Sequence, residues 1–324
     1  MLRVTLCALS LALGAGSLQA QSDITSLRSA AEAGNPEAAF DYGYELTFPE
    51  TGTPDYDTGR YWLTQAADAD LAYANYVLGQ IYLDGIGTEA DPDRARAFFE
   101  LAWQAEDAAA GYALAELLLY DYEGEEAEAF ALLDALADDP EFGALARLTQ
   151  ADALFFGSED AAELARAVEL ASTALALDPG LINAHYLLGI AAMEGLGQET
   201  DPETALDHWR QGSEGGDTLA MLALADALLD GVAGEADPVE ARAWYGVAAA
   251  FGEEDALDSL ETLDASLPPE TGCARPLPCS TAMPASPVIR FGRPTAIMIL
   301  PTGSGIVSIC SARSRKATAV PSTS

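Results

Sequence analysis

Lysine is almost missing from this chain: of 324 residues, one is a lysine, Lys316, and two are histidines, His185 and His208. A serine nucleophile paired with a lysine three residues on is excluded, because the residue three before Lys316 is Arg313. Cysteine is nearly as scarce. Cys7 lies near the start, and Cys273, Cys279 and Cys310 all lie in the last segment, so the long middle of the chain has no disulfide and depends on packing. Neither G-x-S-x-G nor a strand-led phosphate loop occurs; "GIG" and "GLG" each follow a helical run. Positive charge is short as well: up to Glu270 there are nine arginines against all 52 acidic residues, and the net charge is −37. Such a surface repels nucleic acid and anionic lipid, so neither is expected as a partner.

The longest apolar run, Val4 to Leu13, is too short to cross a bilayer. Preceded by Arg3 and followed by Gly14, Gly16, Ser17 and Ala20, it reads as a secretory signal peptide over residues 1–20. The expected mature protein is exported to the periplasm or secreted, with no membrane insertion after cleavage.

What the chain has in quantity is repetition. "YLDGIGTEADP", "AMEGLGQETDP" and "LLDGVAGEADP" begin at residues 82, 192 and 228, and their intervals fit a unit of about 36 residues. Gly85, Gly195 and Gly231 each end an apolar helical run, where a left-handed residue closes the last turn. Asp91, Asp201 and Asp237, each before a proline, are start signals for a following helix. Ile86, Leu196 and Val232 place one apolar side chain in each polar loop, suited to packing back under the turn. The phrase is thus the turn of a helical hairpin, and Gly157 falls where the fourth unit would place its stop.

Six residues before each stop stands a small residue, and the register continues as Gly43, Gly79, Ala115, Ala151, Gly189 and Ala225. Small side chains there let helix axes approach closely. One residue earlier come Tyr42, Leu78, Leu114, Gln150, Leu188 and Leu224, with Gln150 the polar exception. The second helix of each pair is alanine-rich with a bulky residue, and Trp62, Phe99, Trp209 and Tyr245 are placed in one register. About six hairpins stacked between residues 25 and 262 give an all-α solenoid.

The small-residue pair, the D-G-x-G loop, the Asp-Pro entry and the W/F-x-x-A-A ending resemble the Sel-one-like repeat, a relative of the tetratricopeptide repeat, over roughly three quarters of the chain. The first, third and fourth units depart from it, with "TFPETGTPDYDTG", "YDYEGEE" and "LALDPGLINAHYLLG". The resemblance implies a right-handed superhelical solenoid over residues 21–265. It also implies an adaptor that binds another protein, exported bacterial members including regulators and assembly factors of surface polysaccharide. Some cysteine-rich relatives are credited with hydrolysis of cell-wall or β-lactam substrates, but residues 21–270 lack their cysteines.

No catalytic, cofactor or metal site is assigned. His185 and His208 are two imidazoles without a third clustered ligand, read as surface or satisfied part-buried side chains. Asp84, Glu89, Asp91 and Asp93 lack the alternating calcium-loop pattern and read as caps and a solvated face. One register is a candidate partner-binding line: Tyr44, Gln80, Glu116, Asp152, Ile190 and Asp226, each just after the small residue on a helix otherwise largely apolar. An ordinary solvated stripe explains the same pattern.

From Thr271 the character changes: no acidic residue, six basic ones, and abundant Pro, Ser and Thr. Residues 266–324 therefore form a separate tail, read either as an extension without fixed structure or as a displaced reading frame.

Overall fold

The computed structural model describes residues 24–266. The expected signal peptide over residues 1–20 and the cysteine-bearing tail lie outside the described residues. Within them every regular element is a helix: α1 (24–32), α2 (Pro36–Thr47), α3 (Tyr56–Ala67), α4 (Ala72–Asp84), α5 (Pro92–Gln104), α6 (Ala108–Tyr120), α7 (Glu126–Leu136), α8 (Gly143–Gly157), α9 (Ala161–Leu177), α10 (Ala184–Glu194), α11 (Pro202–Gly215), α12 (Thr218–Asp230), α13 (Pro238–Ala250) and α14 (Glu254–Ser266). They pack as six consecutive hairpins, α2/α3 to α12/α13, each laid against the next. This is the expected solenoid, with one addition. An unpaired helix stands at each end: α1 adds Ile24, Leu27 and Ala31 to the first core, and α14 buries Ala256 and Leu263 beside α13. Such terminal helices cover apolar surface that a bare repeat would expose.

The turns form as their residues dictate. Gly85, Gly195 and Gly231 are left-handed at φ 67°, 72° and 66°. The next amide then bonds back into the helix: Ile86 N donates to Ile81 O at 2.9 Å, Leu196 N to Ala191 O at 2.9 Å and Val232 N to Ala227 O at 3.2 Å. A second set closes each loop, from Asp91 N to Tyr82 O (2.7 Å), Asp201 N to Ala192 O (2.8 Å) and Asp237 N to Leu228 O (2.8 Å). The same three aspartates cap the next helix, accepting from Arg94 N, Thr204 N and Glu240 N at 3.1, 3.1 and 2.9 Å. Ile86 and Leu196 pack back onto the core, but Val232 is 37% exposed, so the sixth turn lacks its apolar plug.

Two expectations need correction and one needs extension. Gly157 is not a left-handed stop; it is the last helical residue of α8, and Ser158 leaves in an extended conformation because Asp160 caps α9 almost at once. Trp62 is one residue out of register: Leu63, fully buried, lies against Gly43, while Trp62 is part-buried and tilts against Tyr42. The small residues also do more than bring axes together. At Gly43 the approach is backbone to backbone, since a Cβ there would sit 2.8 Å from Gly59 O and Leu63 N. At Gly79 and Gly189, by contrast, the vacated space is filled by a ring, of Phe99 and of Trp209, into which a Cβ would project. Trp209 Nε1 also donates to Tyr186 O at 3.2 Å, fixing the ring across the hairpin.

The two helix layers are not equivalent. Helices α4, α6, α8 and α10, each the first of its hairpin, approach the first helix of the next hairpin; no pair of second helices does so to the same extent. The first helices therefore form the inner layer, and the position after each small residue lies on it.

Candidate partner-binding face

The sequence-derived register lies on the first helix of each of the six hairpins. Tyr44, Gln80, Glu116, Asp152 and Ile190 are part-buried and Asp226 is exposed. Four of the six have side-chain partners. Tyr44 stacks between Phe40 and Phe48, with ring centroids 5.7 and 4.9 Å away. Gln80 Nε2 donates to Tyr76 OH at 3.4 Å. Tyr112 OH donates to Glu116 Oε1 at 2.9 Å and so accepts from Thr149 Oγ1 at 2.8 Å, since a phenol has one proton to give. That chain ties α6 to α8. Asp226 accepts a short hydrogen bond from Tyr245 OH.

Burial shapes the electrostatics of this face. It pushes Glu116 up to about 6, although the bond from Tyr112 pulls the other way. Asp152 is pushed up to about 7, chiefly by burial and further by the charge of Asp217. Asp217 is itself raised to about 6 by burial, against the two backbone amides it caps. It is 9% exposed, and its Oδ2 is buried with no hydrogen-bond partner. Neither Tyr112, Thr149 nor Asp217 was singled out in the sequence, because contacts between hairpins carry no local signal.

Positive charge lies elsewhere. All eight arginines among the described residues form ion pairs, from Arg28 with Glu32 on α1 to Arg242 with Asp264. Seven stand on α1, α3, α5, α9, α11 and α13; the eighth, Arg147, starts on α8 but turns back to Ala137 O, Gly143 O and Asp138. None pairs with Glu116, Asp152 or Asp226.

The other candidates resolve differently. His185 and His208 face one another across α10 and α11, Nδ1 to Nδ1 at 3.0 Å, so one ring donates and the other accepts. Burial lowers both pKa values. Asp91 is a cap and pairs with Arg94, and Asp93 accepts from Tyr122 OH at 2.6 Å. Gln150, the polar exception, is buried and satisfied by donating to Asp134 Oδ1 at 3.1 Å. No described helix is long and apolar enough to cross a membrane.

The Sel1 repeat family model matches residues 36–71, 72–105, 182–217 and 218–250, which are the first, second, fifth and sixth hairpins. Among solved structures, the chain is similar to a protective antigen of uropathogenic Escherichia coli displaying an SLR fold, at 23% identity and TM-score 0.65, over 76% of this chain and 53% of the antigen. This chain thus spans about half the length of that protein. It is also similar to a Sel1 repeat protein from Oxalobacter formigenes, at 22% identity and TM-score 0.61, over 76% of this chain and 70% of the other. At these identities the likeness concerns the fold. No curated protein matches.

Proposed function

This chain being a Sel1 repeat protein, we propose that its hairpin stack is an exported scaffold that binds another protein along the inner face and has no catalysis of its own. The observation that supports this reading is the recurrence of one register from Tyr44 to Asp226 on the first helix of every hairpin. The first helix of each of the six hairpins presents this register position part-buried or exposed. A run of such positions suits an extended or helical segment far better than a small molecule. The leader-like residues 1–20 support export to the periplasm. Envelope signalling and surface-polysaccharide assembly are the two settings in which such an adaptor would work.

Crosslinking in intact cells tests this. Reversing Glu116, Asp152 and Asp226 to Lys abolishes capture of the partner; capture unchanged by that triple reversal overturns the inner-face assignment. The competing reading is a hydrolase of cell-wall or β-lactam substrates. It draws on the near-neutral carboxyls of Glu116 and Asp152, which have the range of a general acid. Turnover of a reporter substrate by purified protein, lost in Asp152→Asn, would replace the scaffold reading with that one.

A further inference from the structure

The third and fourth hairpins differ from their neighbours on the inner face. One helical turn beyond Glu116 and Asp152 stand Tyr120 and Phe156, each 46% exposed. The same position is part-buried Phe48 in the first hairpin and Asp84, Glu194 and Asp230 in the second, fifth and sixth. Only in the two central units, which the family model leaves unmatched, is the ring at this position exposed and set one turn from a carboxylate. Helices α6 and α8 touch, and the Tyr112 to Thr149 hydrogen bond joins them, so the four side chains belong to one patch: two carboxylates beside two aromatic rings.

The patch is negative and has no internal counter-charge. All eight described arginines are engaged by other carboxylates, and none of those ion pairs includes Glu116 or Asp152. Asp217, nine-tenths buried, has a carboxylate oxygen without a hydrogen-bond partner and lies close enough for its charge to act on Asp152. Partly buried carboxylates gain more from an incoming cation than fully solvated ones, because less water screens the pair. Exposed rings alongside accept the aliphatic stem and charged head of lysine or arginine.

We propose that the inner face of the third and fourth hairpins, at Glu116, Tyr120, Asp152 and Phe156, binds an extended segment of the partner protein through its lysine or arginine side chains. This rests on the scaffold reading and names the chemistry of its partner. The segment crosses two adjacent repeats, placing one cationic side chain at each carboxylate with its stem against the ring beyond.

Fluorescence anisotropy with the full chain tests it. The probe is a labelled decapeptide alternating Arg and Leu; the controls are the same peptide with Glu or with Gln in place of Arg. The Arg peptide binds and the other two do not. Glu116→Gln with Asp152→Asn weakens binding by about tenfold or more, and Tyr120→Ser with Phe156→Ser by roughly fivefold. Glu163→Gln with Glu169→Gln, two exposed positions on α9, removes the same charge from the outer layer and changes affinity by less than about twofold. Far-ultraviolet circular dichroism and a urea transition confirm that each variant is folded. The proposal is overturned if the α9 pair weakens binding as much as the inner pair, which would mean general attraction to an acidic protein. It is also overturned if both inner variants bind like the parent, or if no Arg peptide binds. In those cases partner capture that is still lost on triple reversal leaves the scaffold reading standing without the cationic segment.

Discussion

In α4/α5 and α10/α11 the first helix gives up a side chain, at Gly79 and Gly189, and the second helix fills the gap with the ring of Phe99 or Trp209. In α6/α7 and α8/α9 the same place holds Ala115 and Ala151, both fully buried, and the facing helices contribute smaller side chains: Ala129, Leu132 and Leu133 on α7, and Ala167, Ala171 and Ala174 on α9. The central pair compensates with polar ties between the two hairpins that the outer pairs lack at those places, Gln150 on α8 to Asp134 on α7 and Tyr112 on α6 to Thr149 on α8. Two hairpins can therefore share length, register and neighbours while being held by different physics. One uses a ring in a socket, whose contribution scales with buried apolar area; the other uses aliphatic contacts plus hydrogen bonds that are costly only if left half-made.

The largest effects should come from the sockets. Trp209→Ala removes a ring that is 5% exposed and leaves a void beside Gly189, and is expected to cost about 3–5 kcal/mol in urea unfolding. Gly189→Ala drives a methyl group into the same ring and should cost about 1–3 kcal/mol. Combining Gly189→Ala with Trp209→Leu should cost less than the sum of the two single changes, because the smaller side chain makes room for the methyl. Full additivity would mean that the socket does not exist in solution. In the central hairpins the opposite substitution, Ala151→Gly, should cost only about 1 kcal/mol, mostly from helix propensity.

Next in size is the polar tie. Gln150→Ala strands no charge, since Asp134 is also reached by Arg166 at 3.7 Å, and should cost about 1–2 kcal/mol through the lost hydrogen bond and the space left behind. Asp201→Ala, removing the cap of α11, should lower the urea midpoint, and Asp201→Asn much less, since an amide oxygen can still accept from Thr204 N. Equal losses for the alanine and asparagine variants would show that the cap acts through charge and not through its hydrogen bond.

What could be read in the sequence follows the range of the forces involved. The caps at Asp91, Asp201 and Asp237 and the stops at Gly85, Gly195 and Gly231 act within a few residues, so their chemistry is visible in a short window. The hairpin count followed from their spacing. Gly157 misled because a glycine at the right interval closes a helix only if the chain must turn there, and Asp160 restarts the next helix too soon. Trp62 misled because size was weighed above register: the small residue and its partner are twenty apart in Gly79 with Phe99 and in Gly189 with Trp209, and that interval from Gly43 selects Leu63. The line from Tyr44 to Asp226 was legible as a period. Its counterparts from other helices, Tyr112, Thr149 and Asp217, were not, because which side chains meet across a stack depends on the angle between hairpins.

The smallest expected effect separates the two kinds of hairpin by their protons. Glu116 and Asp152, in the third and fourth units, are raised to about 6 and about 7, mainly by burial, while Gln80 and Ile190 at the same register have nothing to titrate. A carboxyl raised on folding favours the folded state fully below its unfolded value, near 4, and that contribution is lost as pH rises through the folded value. Asp217, also raised, adds in the same direction. His185 and His208, lowered by burial, act in the opposite sense: their contribution is present above the unfolded value near 6.5 and is lost as pH falls. Stability should therefore decline between about pH 5 and pH 8 where the carboxyls dominate, and Asp152→Asn should flatten that decline by the order of 1 kcal/mol, read as the urea midpoint at stepped pH. His185→Asn with His208→Asn should steepen it, because the opposing contribution is gone. If Asp152→Asn leaves the slope unchanged, the carboxyl is already well solvated in the folded protein. The central hairpins would then differ from their neighbours in packing alone.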